Sequence, residues 1–493
     1  MTTSTSTSTS TSTSTSTSMS TSTATRPQAA RPRHVCVVGG GYVGLTAAVG
    51  LAELGHTVRC LEADRGRLAL LQAGQVPIHE PGIAELLAGQ MGSGRLRFTG
   101  DPADAMEEAE LALLCVGTPP RPDGDPDLRQ LAGAAAEVTV VARRDLVLVV
   151  KSTVPPGSCE ALELLVAGAA PEGVRVRVAS NPEFLRESEA LWDFFNPDRV
   201  VVGAEDDGVA QQVAQLYPPD WPLLVCDRRS AELVKYAANT FLALKISFAN
   251  EVAGLCEALG ADAGKALAGV GLDRRIGEAF LAPGPGFGGS CLPKDLAGFI
   301  AVAGSVGAAV PVARAAQVVN QAASASIVAK LSARLGTLEG ARIGLLGLAF
   351  KAGTGDVRDS PAIALARELV ARGCTVWAHD PLAVVNDEPL VQVDDPYVAA
   401  GGADALVVAT AWPAYRSLDA HRLRGVMAGH VVLDAVDVLD ASAVQQAGLD
   451  GYGVGRGRPT TFAPVPWRPL EWMLGPVEAA AAPSTRTGAA AHR

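Results

Sequence analysis

Short apolar runs of strand composition alternate along most of the chain with stretches of helical period. Arg33-His-Val-Cys-Val-Val38 stops at Gly39-Gly-Gly41 and gives way to Leu45-Thr-Ala-Ala-Val-Gly-Leu-Ala-Glu-Leu54, so a strand, a glycine turn and a helix are predicted in succession. Thr57-Val-Arg-Cys-Leu61 follows directly on Gly55, a residue suited to a helix C-cap, and reads as the second strand. Further strands fit Ala109-Glu-Leu-Ala-Leu-Leu-Cys-Val116, Leu146-Val-Leu-Val-Val150 and Arg199-Val-Val-Val-Gly203. Strands separated by helices imply a parallel sheet covered on both faces. From a Ser230 cap to about Leu259 the pattern becomes one long helix, without Gly or Pro until Gly254. At about 1.5 Å per residue it spans some 45 Å, enough to join two domains and still present a face to a partner. After the Gly- and Pro-rich loop 282–289, Ala341-Arg-Ile-Gly-Leu-Leu-Gly347, Cys374-Thr-Val-Trp-Ala-His379 and Asp404-Ala-Leu-Val-Val-Ala409 read as strands of a second parallel sheet.

The two ends differ from this pattern. Residues 2–23 are almost wholly alternating Thr and Ser, and the stretch from Pro476 is rich in Ala with Pro, Ser and Thr, so residues 1–30 and 476–493 are expected to be disordered tails. Met19 lies inside the first tract, and a start there would leave the fold untouched. The expected organisation is a first α/β domain over 31–215, a helical region over 216–325 and a second α/β domain over 326–475.

Composition narrows the function. The 493 residues are 48% hydrophobic, 19% charged and 5% aromatic, as in a soluble globular protein of several domains. No run approaches the roughly 20 apolar residues of a membrane span. A net charge of −11, from 41 basic and 52 acidic residues without a basic patch, opposes nucleic acid and anionic lipid as partners. The eight cysteines show neither CxxC nor Cys/His spacing, so neither a disulfide framework nor a metal site is expected. Most, such as Cys36 and Cys115, sit among apolar residues and read as core filler. Cys291 is the exception, in Gly288-Gly-Ser-Cys-Leu-Pro-Lys-Asp295.

Gly39, Gly41 and Gly44 form GxGxxG between a strand and a helix, where glycine permits the turn, the approach of a pyrophosphate and close helix packing. Glu62, just past the second strand, is placed to accept hydrogen bonds from an adenosine ribose and would repel a 2′-phosphate, so NAD is expected rather than NADP. Asp64 either shares the ribose or is simply solvated. A second glycine pattern, Gly344-Leu-Leu-Gly-Leu-Ala-Phe-Lys351, lacks that spacing and either binds a nucleotide differently or only turns the chain. The fold class is α/β, with two Rossmann-like parallel-sheet domains joined by a long central helix.

Pro293 is suited to the first turn of a helix, which puts Cys291 just ahead of an N-terminus, where the dipole and Lys294 favour a nucleophilic thiolate. Asp295 follows four residues later. Lys235 and Asn239, also four apart, share a face of the long helix and together could hold a developing oxyanion. Each taken alone has a plainer reading, as a surface lysine, a polar helix residue or an inert thiol.

Together these segments resemble the UDP-glucose dehydrogenase family within the nucleotide-sugar dehydrogenases, over nearly all of residues 33–440. The resemblance is carried by Gly39-Gly-Gly-Tyr-Val-Gly-Leu45, Pro77-Ile-His-Glu-Pro-Gly82, Cys115-Val-Gly-Thr-Pro119, Lys151-Ser-Thr-Val-Pro-Pro-Gly157, Asn181-Pro-Glu-Phe-Leu-Arg-Glu187, Lys235-Tyr-Ala-Ala-Asn239, Gly286-Phe-Gly-Gly-Ser-Cys-Leu-Pro-Lys-Asp295, and Phe350-Lys351 followed by Thr354-Gly-Asp-Val-Arg-Asp-Ser-Pro361. It implies a four-electron oxidation of a sugar C6 alcohol to a carboxylate, using two NAD and one water, with Cys291 carrying a thiohemiacetal and then a thioester. By the same resemblance Lys235 and Asn239 stabilise oxyanions, Asp295 and Thr118 order a water, and Glu183 assists thioester hydrolysis. NAD contacts are implied for Gly39, Gly41, Tyr42, Val43, Gly44, Glu62, Arg67, Thr118, Glu187, Lys294 and Arg358. Substrate contacts are implied for Glu183, Phe184, Leu185, Lys235, Asn239, Phe287, Gly288 and Lys351, and for Arg275 toward a neighbouring subunit.

The family likeness further implies a homodimer or higher homo-oligomer built on the long helix, a UDP-glucose substrate and a cytoplasmic location. Two departures bear on the substrate: Thr410-Ala-Trp412 where the family commonly has Thr-Glu-Trp, and Asp434-Ala-Val-Asp437, with Val436 where a nucleotide-contacting arginine often stands. The same reaction on GDP-mannose or UDP-N-acetylmannosamine is therefore the alternative, with a non-catalytic nucleotide-sugar-binding protein behind it.

Overall fold

The computed structural model describes residue 29 and residues 31–456, apart from 122–124 and 387. The expected disorder of the two tails falls outside the described residues, save residue 29, as does the stretch 457–475 of the expected second domain.

Eight strands form the first sheet: β1 (His34–Val38), β2 (Thr57–Leu61), β3 (Leu96–Thr99), β4 (Leu111–Leu114), β5 (Leu146–Val150), β6 (Val176–Ser180), β7 (Val200–Gly203) and β8 (Leu223–Cys226). Their order is β3-β2-β1-β4-β5-β6-β7-β8. Pairing is parallel except where β7 meets β6 antiparallel at Ser180 and Gly203. Val35 pairs with both Val58 and Leu111, so β1 is central, and its near-continuous apolar run is what burial on both faces requires. The sheet continues past the boundary read at 215, because β8 pairs with β7 in the register Val200 to Leu223.

The second sheet holds β9 (Arg342–Leu346), β10 (Thr375–His379), β11 (Val391–Gln392), β12 (Ala405–Val408), β13 (Val431–Asp434) and β14 (Asp450–Gly453), all parallel, in the order β11-β10-β9-β12-β13-β14. Its core gathers Ile343, Leu345, Leu406, Val407 and Leu433 with Leu365 and Leu369 of the helix Pro361–Ala371.

Between the sheets runs the 32-residue helix Arg228–Leu259, about 48 Å long. Its cap is Asp227, not Ser230: the Asp227 carboxylate accepts from the Ser230 N–H at 2.9 Å, and the Ser230 hydroxyl donates to the same carboxylate. An aspartate left in extended backbone ahead of the first turn satisfies an orphan amide more strongly than a hydroxyl does. The helix ends at Gly260, whose φ of 72° makes a left-handed C-cap. A second long helix, Pro311–Leu335, packs beside it through Ser247 Oγ to Ala316 O at 2.8 Å and the Lys330–Glu257 ion pair. That helix crosses the boundary read at 325, so the chain has no break there.

Candidate active site

The turn after β1 is built by steric necessity. Gly39 has φ +100°, and a Cβ on Gly44 would lie 1.8 Å from Gly39 O, so the first helix, Tyr42–Glu53, can start this close to the strand only with glycine at 44. A Cβ on Gly41 would meet nothing within 4 Å. The first turn of that helix has no side-chain cap, so no capping side chain claims its amides, and the positive end of the dipole lies behind them. These are the features a pyrophosphate needs, and the turn fits NAD on geometry alone.

Glu62 is buried just past β2, as the sequence reading placed it. It accepts from Gly40 N at 2.8 Å, from Asp64 N at 2.7 Å and from the Arg67 guanidinium at 3.2 Å. It thus fixes the glycine turn, and its carboxylate keeps further acceptor positions for a ribose. Asp64 caps the next helix by accepting from Arg67 N at 2.7 Å. The Tyr42 hydroxyl donates to Glu80 and accepts from the Ser188 N–H at 2.5 Å, tying the first helix to the loop that follows β6. Burial and the Glu80 carboxylate push its phenol far above its ordinary range.

The turn after β9 is different in kind. Gly344 is needed because a Cβ would come 2.9 Å from Ala399 O, and Gly347 has φ +96° against Thr410. The amides of Leu348 and Ala349 that leave this turn already donate to Asp380 at 2.7 and 3.0 Å, and Trp412 Nε1 donates to the same oxygen. An internal carboxylate satisfies the amides of this turn.

Four expected groups meet between the domains. Lys235 and Asn239 are buried on one face of the long helix: Lys235 Nζ lies 2.9 Å from Glu183 Oε1, and Asn239 Nδ2 donates to Asp295 Oδ2 at 2.6 Å. Burial works against the charge of Glu183, yet Lys235, the Leu185 N–H at 2.6 Å and Lys151 hold its carboxyl below the usual range. Burial likewise opposes the Lys235 ammonium, but Glu183, Asp295 and Cys291 outweigh it and keep the group charged.

Cys291 is the N-cap of the helix Leu292–Ser305, with Pro293 in the first turn, as its sequence predicts. Its sulfur lies 3.6 Å from Ser290 Oγ. Burial raises the thiol above its ordinary 9.0, and among the neighbouring charges Lys235 lowers it while Glu183 and Asp295 raise it. The resting group is a thiol. Lys294 does not supply the activating charge, because its ammonium pairs with the adjacent Asp295 carboxylate. Thr118 is buried and donates to Thr153 O at 2.8 Å.

A second network crosses from the first domain to the last. Glu187 accepts from Ser290 Oγ at 3.3 Å, from Thr354 Oγ1 at 3.4 Å and from Arg358 Nη2 at 3.4 Å, and its backbone carbonyl accepts from Lys351 Nζ at 2.5 Å. Asp356 holds Arg358 through Nε at 2.9 Å and Nη2 at 2.6 Å. Burial and the Asp356 charge raise the Glu187 carboxyl, and burial lowers the Lys351 ammonium.

Of the remaining expected substrate contacts, Phe184 stacks under the Arg199 guanidinium at 3.7 Å, with Lys235 Nζ 5.6 Å from its ring. Phe287 is buried and its N–H donates to Asn320 at 2.7 Å, while a Cβ on Gly288 would lie 2.2 Å from Asp359 O. Arg275 is exposed and engages Asp273 on its own loop at 2.6 Å, away from the four-residue cluster.

Sequence reasoning missed Lys151, Ser290, Thr354 and Asp356, although all four stand inside stretches it singled out. It also missed Asp380, whose only signal was its position one residue past β10, matching Glu62 past β2.

Three family models match the chain in order: the NAD binding domain of the UDP-glucose/GDP-mannose dehydrogenase family over residues 33–220, the central domain over 229–322 and the UDP binding domain over 344–441. A UDP-glucose 6-dehydrogenase of Rhizobium meliloti is 40% identical over 434 residues, covering 86% of this chain and 99% of its own. One from Pseudomonas aeruginosa is 40% identical over 442 residues, covering 86% and 98%. Among solved structures, a UDP-glucose dehydrogenase from Pyrobaculum islandicum superposes with a TM-score of 0.81 at 42% identity, covering 87% of this chain and 99% of that one. A UDP-D-ManNAc dehydrogenase from Pyrococcus horikoshii gives 0.78 at 27% identity, covering 86% and 99%. With its glycine turn, its cysteine-capped helix and all three domains matched, the chain belongs to the UDP-glucose/GDP-mannose dehydrogenase family.

Proposed function

We propose that the chain is an NAD-dependent UDP-glucose 6-dehydrogenase that takes the sugar C6 alcohol to a carboxylate. The observation that carries this reading is the convergence of Cys291, Lys235, Glu183, Asn239 and Asp295 at one buried point between the domains. NAD, when bound, supplies the hydride acceptor for both oxidations.

The first oxidation yields an aldehyde. The Cys291 thiol adds across its carbonyl, sulfur to carbon and proton to oxygen, giving a thiohemiacetal. Lys235 and Asn239 present N–H donors to the oxygen at both stages, in a site dry enough for such donors to count heavily. After the second oxidation the thioester is cleaved by water, which returns the thiol and releases the carboxylate. Glu183, held ionised by Lys235, is the group that takes the proton of that water, and Asp295 with Thr118 orders a water for the first proton transfer. Arg358, held by Asp356 and Glu187, reaches NAD across the cleft, and Lys351 reaches the nucleotide sugar.

The active form is a homodimer on the long helix. Phe241, Phe248, Leu255 and Leu259 stand exposed along it at helical spacing, and Leu272 and Ile276 extend the apolar surface toward Arg275. Arg275 then serves the partner's substrate. No helix among the described residues is long and apolar enough to cross a membrane.

The test is stoichiometry: purified protein with UDP-glucose makes two NADH per sugar, and one NADH with free aldehyde refutes the scheme. A second substrate reading is favoured by Val436 and Ala411, neither of which offers a polar side chain. A panel with GDP-mannose and UDP-N-acetylmannosamine, compared by kcat/KM, decides between them.

A further inference from the structure

Within the dehydrogenase reading above, on which this rests, we propose that Ser290 is a further catalytic residue. Its hydroxyl carries the Cys291 thiol proton to Glu187 as sulfur attacks the aldehyde, and carries it back as the thioester breaks. Ser290 Oγ lies 3.6 Å from Cys291 Sγ and 3.3 Å from Glu187 Oε1, so one hydroxyl touches both the nucleophile and a carboxylate. A serine hydroxyl has one proton to give and lone pairs to receive another, which is what a relay requires. With the resting group a thiol, the chain runs from S–H to Oγ and from O–H to Oε1. Two contacts from the third domain hold it together: Gly289 N donates to Arg358 O at 2.9 Å, and Lys351 Nζ donates to Glu187 O at 2.5 Å.

The other polar groups near the sulfur are poorly suited to take its proton. Lys235 is an ammonium and Asn239 an amide, and neither is a base. Both oxygens of Glu183 are engaged, one by Lys235 at 2.9 Å and one by Leu185 N–H at 2.6 Å. Asp295 receives Asn239 on one oxygen and Lys294 on the other. Glu187 is held more loosely, by Ser290 at 3.3 Å and by Thr354 and Arg358 at 3.4 Å. Burial and the Asp356 charge also raise its carboxyl, which makes it the readier acceptor.

The protons balance through the cycle. On addition the S–H bond breaks and its proton passes through Ser290 to Glu187, while the sulfur–carbon bond forms and the carbonyl oxygen takes a proton from the Lys235 ammonium. The second oxidation sends a hydride from that carbon to NAD and returns the hydroxyl proton to Lys235. Water then attacks the thioester and gives a proton to Glu183. The carbon–sulfur bond breaks, and the Glu187 proton returns to sulfur through Ser290. The product acid and Glu183 shed their protons to solvent, and every side chain ends as it began.

The 6-aldehyde of UDP-glucose isolates the step, because its oxidation with NAD needs the sulfur and its reduction with NADH does not. In Ser290→Ala the ratio of aldehyde oxidation to aldehyde reduction should fall about a hundredfold, and Ser290→Thr, which keeps the hydroxyl, should restore most of it. Taking the ratio cancels any loss of folding or cofactor affinity common to both directions. Wild-type aldehyde oxidation should rise with pH through the raised Glu187 carboxyl and then level off, whereas in Ser290→Ala it should go on rising toward the thiol, above 9.0. The charged and titratable groups facing this pair stay in place in both variants: Asp356, Arg358, Lys351 and Tyr42 round Glu187, and Lys235, Glu183 and Asp295 round Cys291. With no cofactor present, iodoacetamide labelling of Cys291 reads the contact itself. The Ser290 hydroxyl lowers the thiol, so the Ser290→Ala profile should move to higher pH. An unchanged ratio or an unmoved labelling profile in Ser290→Ala overturns the relay and leaves the dehydrogenase reading standing. A wild type that cannot oxidise the aldehyde overturns both.

Discussion

Lys235 Nζ and Glu183 Oε1 are 2.9 Å apart with both side chains more than nine-tenths buried, so each charge depends on the other for its presence in the site. Removing one partner leaves the other a buried charge without its nearest counter-ion. Lys235→Met is expected to cost about 3–5 kcal/mol in denaturant unfolding, whereas Lys235→Met with Glu183→Gln recovers much of the loss. Neither variant should make UDP-glucuronate. If the double variant were no more stable than the single one, the pair would not be the energetic unit described.

The raised Cys291 thiol has a consequence with a definite sign. Its folded-state value lies above 9.0, so at neutral pH the thiol form dominates, and each unit of rise in pH below that value increases the thiolate about tenfold. Iodoacetamide labelling of the Cys291 peptide in the resting enzyme should climb with that slope through pH 9. Lys235 lowers the thiol, so Lys235→Met should move the profile to still higher pH. A plateau near pH 7 would show a pre-formed thiolate instead.

Much of this was legible in the chain because the determinants are local. β2 and β5 match their apolar runs residue for residue, and Cys291 caps a helix whose first turn holds Pro293. The helix Pro311–Leu335 was not legible, since its Ala-rich sequence spreads apolar residues round the axis and buries only Ala313, Ala316, Ile327, Val328 and Leu331. Nor was the partner of Lys294, whose charge serves Asp295 and not the thiol. Glu187 and Asp356 meet only because two domains close on one another, and no spacing within either segment encodes that.

Asp356 touches neither of the reacting groups, yet it fixes Arg358 through the backbone N–H and through Nε and Nη2 of the guanidinium. Asp356→Ala should release that guanidinium and raise KM for NAD about tenfold, as expected for about 1.4 kcal/mol of lost positioning, with a smaller change in kcat. Asp356→Asn, which keeps one acceptor, should fall between. Steady-state kinetics with NAD varied at saturating UDP-glucose measures the split, and a fall in kcat alone would place Asp356 in the chemistry rather than in cofactor binding.

The glycine turn permits a sharper separation of folding from binding. A methyl on Gly44 would sit 1.8 Å from Gly39 O and 3.1 Å from Cys115 Cβ, backbone and packed core that cannot give way together, so Gly44→Ala must open the turn. Its gain in helix propensity, about 1 kcal/mol, is too small to offset such a clash. Gly41 has φ −75° and open space where its Cβ would stand, so Gly41→Ala is sterically free in the unliganded protein. That same space is where a pyrophosphate must approach the helix amides. Gly44→Ala should therefore lower the melting temperature and abolish NAD binding, while Gly41→Ala should melt like the wild type and still bind NAD at least tenfold more weakly by calorimetry. Wild-type affinity in Gly41→Ala would move the pyrophosphate seat away from this turn.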